Sequence, residues 1–179
     1  GVQHHGWQAV NSLAYEPTKL VLIAESWSLE EVVDVMRQHQ TEFEFQEFGC
    51  RALAILGAYP GTLNSGNEES VISAVIDAMK GCAERAAVVE QGCRALSVLA
   101  ARCQSEADPV HVEVIRLVVD AMLHHRAREG IQEHSCSVLS SLAEAPSNHP
   151  HLMEAGVIDT VAAAMQQHLS HAGIQLLGC

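Results

Sequence analysis

The chain has 179 residues, 48% hydrophobic but only 4% aromatic, with 10 Lys+Arg against 22 Asp+Glu for a formal net charge of -12. So apolar a composition excludes a disordered chain, and ten scattered cations exclude a nucleic-acid binder, which needs a concentrated basic surface. A core of small aliphatic residues and Cys, with seven aromatics in all, favours packed helices over a sandwich or barrel.

In chain order, the opening GVQHHGWQAV lacks a basic stretch leading into an apolar core, so no signal peptide is read there. No run of eighteen uncharged apolar residues follows anywhere, which leaves no membrane span. A short leading helix is predicted over Thr18–Ser26. Ser28 with Glu31 three residues on forms a capping box that opens a helix over 29–39. Val32, Val33, Val35 and Met36 make its apolar stripe. After the connector His39-Gln40-Thr41, the face Phe45, Gly49, Ala52, Leu53, Leu56 predicts a helix over 43–57. Tyr59-Pro60-Gly61 breaks it.

The same pair of helices then recurs, at 68–81 and 87–103, and at 110–125 and 130–144. Loops follow at Ser105–Pro109 and Ala145-Pro146-Ser147. A leading helix at His149–Ala155 precedes helices over 156–168 and 172–179. The predicted core comprises Val33, Met36, Leu53, Leu56, Ile76, Met79, Leu96, Leu99, Val119, Met122, Leu139 and Leu142. The chain begins without Met and stops inside a predicted helix, so it reads as a piece of a longer protein.

The recurrence has a fixed period of 43 residues. Met36, Met79, Met122 and Met165 keep it, as do Cys50, Cys93, Cys136 and Cys179. So do Leu53, Leu96 and Leu139; Leu13, Leu56, Leu99 and Leu142; and Gly6, Gly49 and Gly92. Gln3, Gln46, Val89, Gln132 and Gln175 form a series through five copies with one substitution. One repeat domain therefore spans 1–179, as a partial copy over 1–15, copies over about 16–60, 61–103 and 104–146, and a partial copy over 147–179. Helices that cannot bury their stripes alone must stack on their neighbours.

This pattern resembles the armadillo-repeat family along essentially the whole chain. The closest stretch is Asn148 to Leu176, where Glu154-Ala155-Gly156-Val157-Ile158 is similar to the family's Glu-Ala-Gly turn. SGNEESVI and DPVHVEVI lack that turn, which leaves a HEAT-like helix pair open in those copies. The resemblance implies an all-α fold, a right-handed α-solenoid, and a non-catalytic protein-interaction or scaffold role.

Six cysteines, at 50, 82, 93, 103, 136 and 179, offer no CxxC or CxxH pair for zinc. Neighbouring helix axes lie about 8–10 Å apart, too far for the ladder cysteines to bridge, since a disulfide holds Cα atoms about 4.4–6.8 Å apart. They read as buried free thiols, with Cys82 and Cys103 the exposed ones. Free thiols point to a reducing intracellular compartment, the cytoplasm ahead of nucleus or organelle. His39, His125 and His168 share one repeat position at a helix end, where they should bond the last carbonyls of their own helix. Glu30-Glu31, Glu68-Glu69 and Glu42/Glu44 lie at helix starts, where carboxylates favour the dipole.

No GxSxG, P-loop, HExxH or Gly-rich dinucleotide turn occurs, so no catalytic residue, cofactor or metal site is assigned. The expected binding surface is the concave groove lined by the last helix of each copy. In the family's nuclear-import members that helix carries a Trp and, four residues on, an Asn. The Trp-equivalent positions here are Gln8, Arg51, Arg94 and Ser137, and the Asn-equivalents are Ser12, Ile55, Val98 and Ser141, so that ladder is missing. The groove would instead show Glu47, Glu90 and Glu133, pairing at i, i+4 with Arg51 and Arg94 in the first two copies. A groove of mixed charge with an apolar strip suits a helix or extended segment of another protein. Two other readings stay open: a HEAT-like lyase or ligand-binding subunit, and a structural subunit of a large complex.

Overall fold

The computed structural model describes residues 28–64, 66–101 and 109–179, and these fold into helices throughout. In chain order they are α1 (Leu29–Gln38), α2 (Phe43–Ala58), α3 (Glu68–Gly81), α4 (Ala86–Ala100), α5 (Pro109–His124), α6 (Glu129–Ala143), a 3-10 turn (Pro146–Asn148), α7 (His149–Glu154), α8 (Val157–Gln167) and α9 (Ala172–Leu177). The predicted leading helix over Thr18–Ser26 and the first partial copy lie outside the described residues.

The caps explain where helices begin. Ser28 accepts from the Glu31 backbone N–H while the Glu31 carboxylate accepts from the Ser28 N–H, the reciprocal box the sequence predicted. The acidic pairs also sit as expected, in the first turns of α1 and α3 and at the start of α2.

Two layers result. The first helices of the copies (α1, α3, α5, α8) form one row and the second helices (α2, α4, α6, α9) the other, each first helix packing on its own second helix. The most extensive packing runs within the second row, α2 on α4 and α4 on α6. Every predicted core residue is buried. Cys50 and Cys93 are fully buried and Cys136 nearly so, filling the seams between the second helices. This is an α-solenoid.

The copies are not identical. In the fourth, Gly156 takes φ 69, a left-handed conformation that turns α7 into α8. Glu113 and Ser70 stand at that position in the third and second copies, where α5 and α3 run on unbroken. Among the described residues those two copies are helix pairs, lacking the residue that permits the corner.

The methionine and glycine ladders explain each other. A Cβ on Gly49 would overlap Met36, on Gly92 it would overlap Met79, and on Gly178 it would lie 2.6 Å from Met165 Sδ. The glycine lets the thioether cross the second helix at contact distance. The third copy has Ser135 there, fully buried, with its hydroxyl 3.5 Å from Cys93 Sγ.

Candidate functional site

The second-helix row carries all nine expected groove residues, and its local chemistry departs from the sequence expectation in an instructive way. Glu47 and Arg51 form the predicted i, i+4 pair, 2.6 Å apart and both largely covered. Glu90 and Arg94 do not pair. The carboxylate of Glu90 reaches across to the next copy and lies over Gly130, where an added Cβ would stand 2.6 Å from Oε1. Glu133 does the same to Gly173. Gly130 and Gly173 are each the second residue of a helix, α6 and α9, so both acids sit against the positive end of a helix dipole.

The reason Glu47 behaves differently is the residue opposite it. The equivalent position in α4 is Ala87, whose Cβ occupies the space that Glu90 and Glu133 use. Arg94 is consequently exposed, with no ion pair among the described residues. Ile55, Val98, Ser137 and Ser141, on the same row of second helices, are half-buried. Val98 leans on α2, because Gly57 leaves room for Val98 and Leu99 to close on that helix. His134, between Glu133 and the α4 face, has its pKa lowered by burial, with Glu133 opposing and Arg94 reinforcing the shift.

The histidines at the helix ends bond differently from expectation. His125 Nε2–H donates to the Ala83 carbonyl at 2.8 Å, and His168 Nε2–H to the Arg126 carbonyl at 2.7 Å, each reaching the connector of the preceding copy. His39 donates to the Glu42 carboxylate and stacks on Phe45. The carbonyls that these histidines were expected to cap are taken by the glutamine ladder. Gln46 Nε2 donates to the carbonyls of Met36 and His39, Gln132 to Met122 and His125, and Gln175 to Met165 and His168. Of the neighbouring residues, His124 does bond its own helix, at the Asp120 carbonyl. The 43-residue glutamine series was visible in the sequence; its role was not, because the capped carbonyls lie seven and ten residues upstream.

Copy two lacks both polar groups. Val89 stands where the glutamine would be, and Cys82 where the histidine would be. Cys82 is buried at 7% exposure and belongs to the apolar core, against the expectation of an exposed connector thiol. Cys103 lies outside the described residues. Beside Val89 a cleft of about 650 Å³ opens between the end of α3 and the flank of α5. Burial drives the thiol pKa of Cys93 up to about 12 and of Cys136 up to about 11. Cys179 is exposed. Among the described residues no group of three His, Cys, Asp or Glu converges to hold a metal, and no helix is long and apolar enough to cross a membrane.

Helical copies whose cognate members stack side by side at a fixed repeat define a helical-repeat solenoid. Residues 28–179 match the family model described as LRRK2 ARM repeat, and the chain belongs to that family. No curated protein and no solved structure matches it.

Proposed function

We propose that this chain is a non-catalytic interaction module that holds a segment of another protein along the α2–α4–α6 face. The observation that carries the reading is the composition of that face. Arg51, Arg94 and Ser137 share one repeat register and Ile55, Val98 and Ser141 the register one turn on, so the row offers an exposed cation at Arg94, a modest apolar strip and hydroxyls. Glu47 is paired with Arg51, and Glu90 and Glu133 lie over Gly130 and Gly173 of the next copy. A surface of that kind suits an elongated ligand, because each copy supplies one subsite. Armadillo repeats in general serve protein interaction, in keeping with the family match.

The test is affinity capture from the native source, comparing the unaltered chain with Arg51→Ala, Ile55→Ala, Arg94→Ala and Val98→Ala combined. The altered chain should lose its specific partners while keeping its helical circular dichroism. An unchanged set of captured partners would overturn the reading.

A second reading, stacking within a larger assembly, has its own observation. Ile158 is 64% exposed, whereas Leu29, Ile72 and Ile115 at the same repeat position are 3%, 6% and 0% exposed. The α8–α9 face thus presents an apolar surface of the type the other copies cover with a helical neighbour.

A further inference from the structure

We propose that the cleft between α3 and α5 binds a small amphipathic molecule bearing a primary carboxamide, seated where copy two lacks the glutamine of its neighbours. In copies one, three and four a single glutamine amide serves two backbone carbonyls at the end of the first helix. Gln132 Nε2 donates to Met122 at 3.0 Å and to His125 at 3.2 Å, and Gln46 and Gln175 do the same in their own copies. The corresponding carbonyls in copy two are those of Met79 and Cys82, with Val89 at the glutamine position. Among the described residues no side chain donates to either. The Cys82 carbonyl accepts from the Arg85 N–H at 2.8 Å, as those of His39 and His125 accept from Glu42 and Arg128. Like them it keeps a second lone pair for a further donor.

Valine is shorter than glutamine by the whole carboxamide, and beside it the cleft of about 650 Å³ opens. That volume lies within the range of small-molecule sites, about 300–1,000 Å³. α3 also packs more sparsely on α5 than α1, whose copy holds Gln46, packs on α3. Met79, Val89 and Ala121 are buried and Leu117 half-buried, so the interior of the cleft is apolar. Lys80 and Glu113 are exposed at its edge and form an ion pair that ties the end of α3 to α5. The occupant must therefore place two N–H groups of one nitrogen on two carbonyls beside an apolar wall. A neutral NH2 does this without taking a charge out of water. An ammonium would bring a charge onto Met79 and Val89, and a carboxylate would face two acceptors with no proton to give. The apolar body of the ligand then lies along Leu117 and Ala121.

The experiment is a titration of the whole 179-residue chain, isotope-labelled at its methionine methyls, with hexanamide, followed by NMR. Met79 lines the cleft, while Met36 and Met122 belong to copies that hold a glutamine and serve as internal controls. Hexanamide should shift the Met79 signal saturably and leave Met36 and Met122 in place. N,N-dimethylhexanamide, hexylamine and hexanoate, none with a neutral NH2 at pH 7, should bind at least about tenfold more weakly, the scale of the hydrogen bonds they cannot make. Val89→Gln should abolish the Met79 response, because the chain then supplies its own donor. No saturable shift at millimolar hexanamide, or equal shifts at all three methionines, would overturn the site. Equal affinity for the dimethyl amide, or tighter binding of the amine or the acid, would overturn the carboxamide seat, as would a Met79 response that Val89→Gln leaves intact. Should Val89→Gln lose its helical circular dichroism, the four ligands on the unaltered chain still decide.

Discussion

Met79 lies across Gly92 so closely that a Cβ on the glycine would stand 2.6 Å from the methionine sulfur. The two residues come from the first and second helices of one copy, and Met79 is 1% exposed. Gly92→Ala should therefore force the methionine off its path and destabilise the chain by about 1–3 kcal/mol, the usual range for overpacking. Urea denaturation measures this. Met79→Ala in the same background should recover part of the loss, giving a non-zero coupling in the double-mutant cycle. Strict additivity of the two changes would show that the contact does not matter.

The glutamine ladder makes two opposite predictions. Gln132→Val removes the donor that serves the carbonyls of Met122 and His125 in a buried setting, and should cost about 1–3 kcal/mol. Val89→Gln installs the missing donor in copy two, beside a cleft with room for the longer side chain. It should gain about 0.5–1.5 kcal/mol, the net value of a typical hydrogen bond. A thermal melt that rises for Gln132→Val, or falls for Val89→Gln, contradicts the assignment.

Gly156 holds φ 69 with nothing within 4 Å of an added Cβ. Gly156→Ala should accordingly cost about 1 kcal/mol through backbone conformation alone. Hydrogen exchange should quicken at the α7–α8 corner and stay unchanged in α2 and α4.

The buried thiols set a pH dependence at the alkaline end. Cys93 and Cys136 titrate near 12 and 11 in the folded chain because burial disfavours the thiolate, against about 8.5 when unfolded. Their stabilising contribution is full below the unfolded value and declines as pH rises from there toward 11–12, because the unfolded chain then releases protons that the native chain retains. Denaturation midpoints should fall over that interval, and Cys93→Ala with Cys136→Ala should flatten the fall. At pH 8 a disulfide exchange reagent should label Cys179 at once and Cys50, Cys93 and Cys136 only on unfolding.

His134 works in the acid direction. Burial lowers its folded pKa, so the stability it lends is present above its unfolded value and is lost as pH falls through the folded one. His134→Gln should make the stability profile flatter below pH about 6.5. An unaltered profile would remove His134 from the account.

The candidate site was only partly readable in advance. Arg51, Arg94, Ile55 and Val98 fall on the second helices, as the period predicts. Their partners do not follow from it. Glu47 keeps Arg51, yet Glu90 abandons Arg94 for α6, and the difference lies in Ala87 against Gly130, forty residues further along the chain. The histidines show the same divide. Their shared position was evident, but their acceptors, Ala83 and Arg126, belong to the previous copy.

What the sequence determined by itself is the repeat, its helical period and the buried stripe of each helix. Those features follow from burying one face of a locally folded helix, and local periodicity records that face directly. What only the tertiary structure decided is which polar group answers which. That choice depends on the register of one copy against the next, where a single Cβ, as at Ala87, redirects a carboxylate.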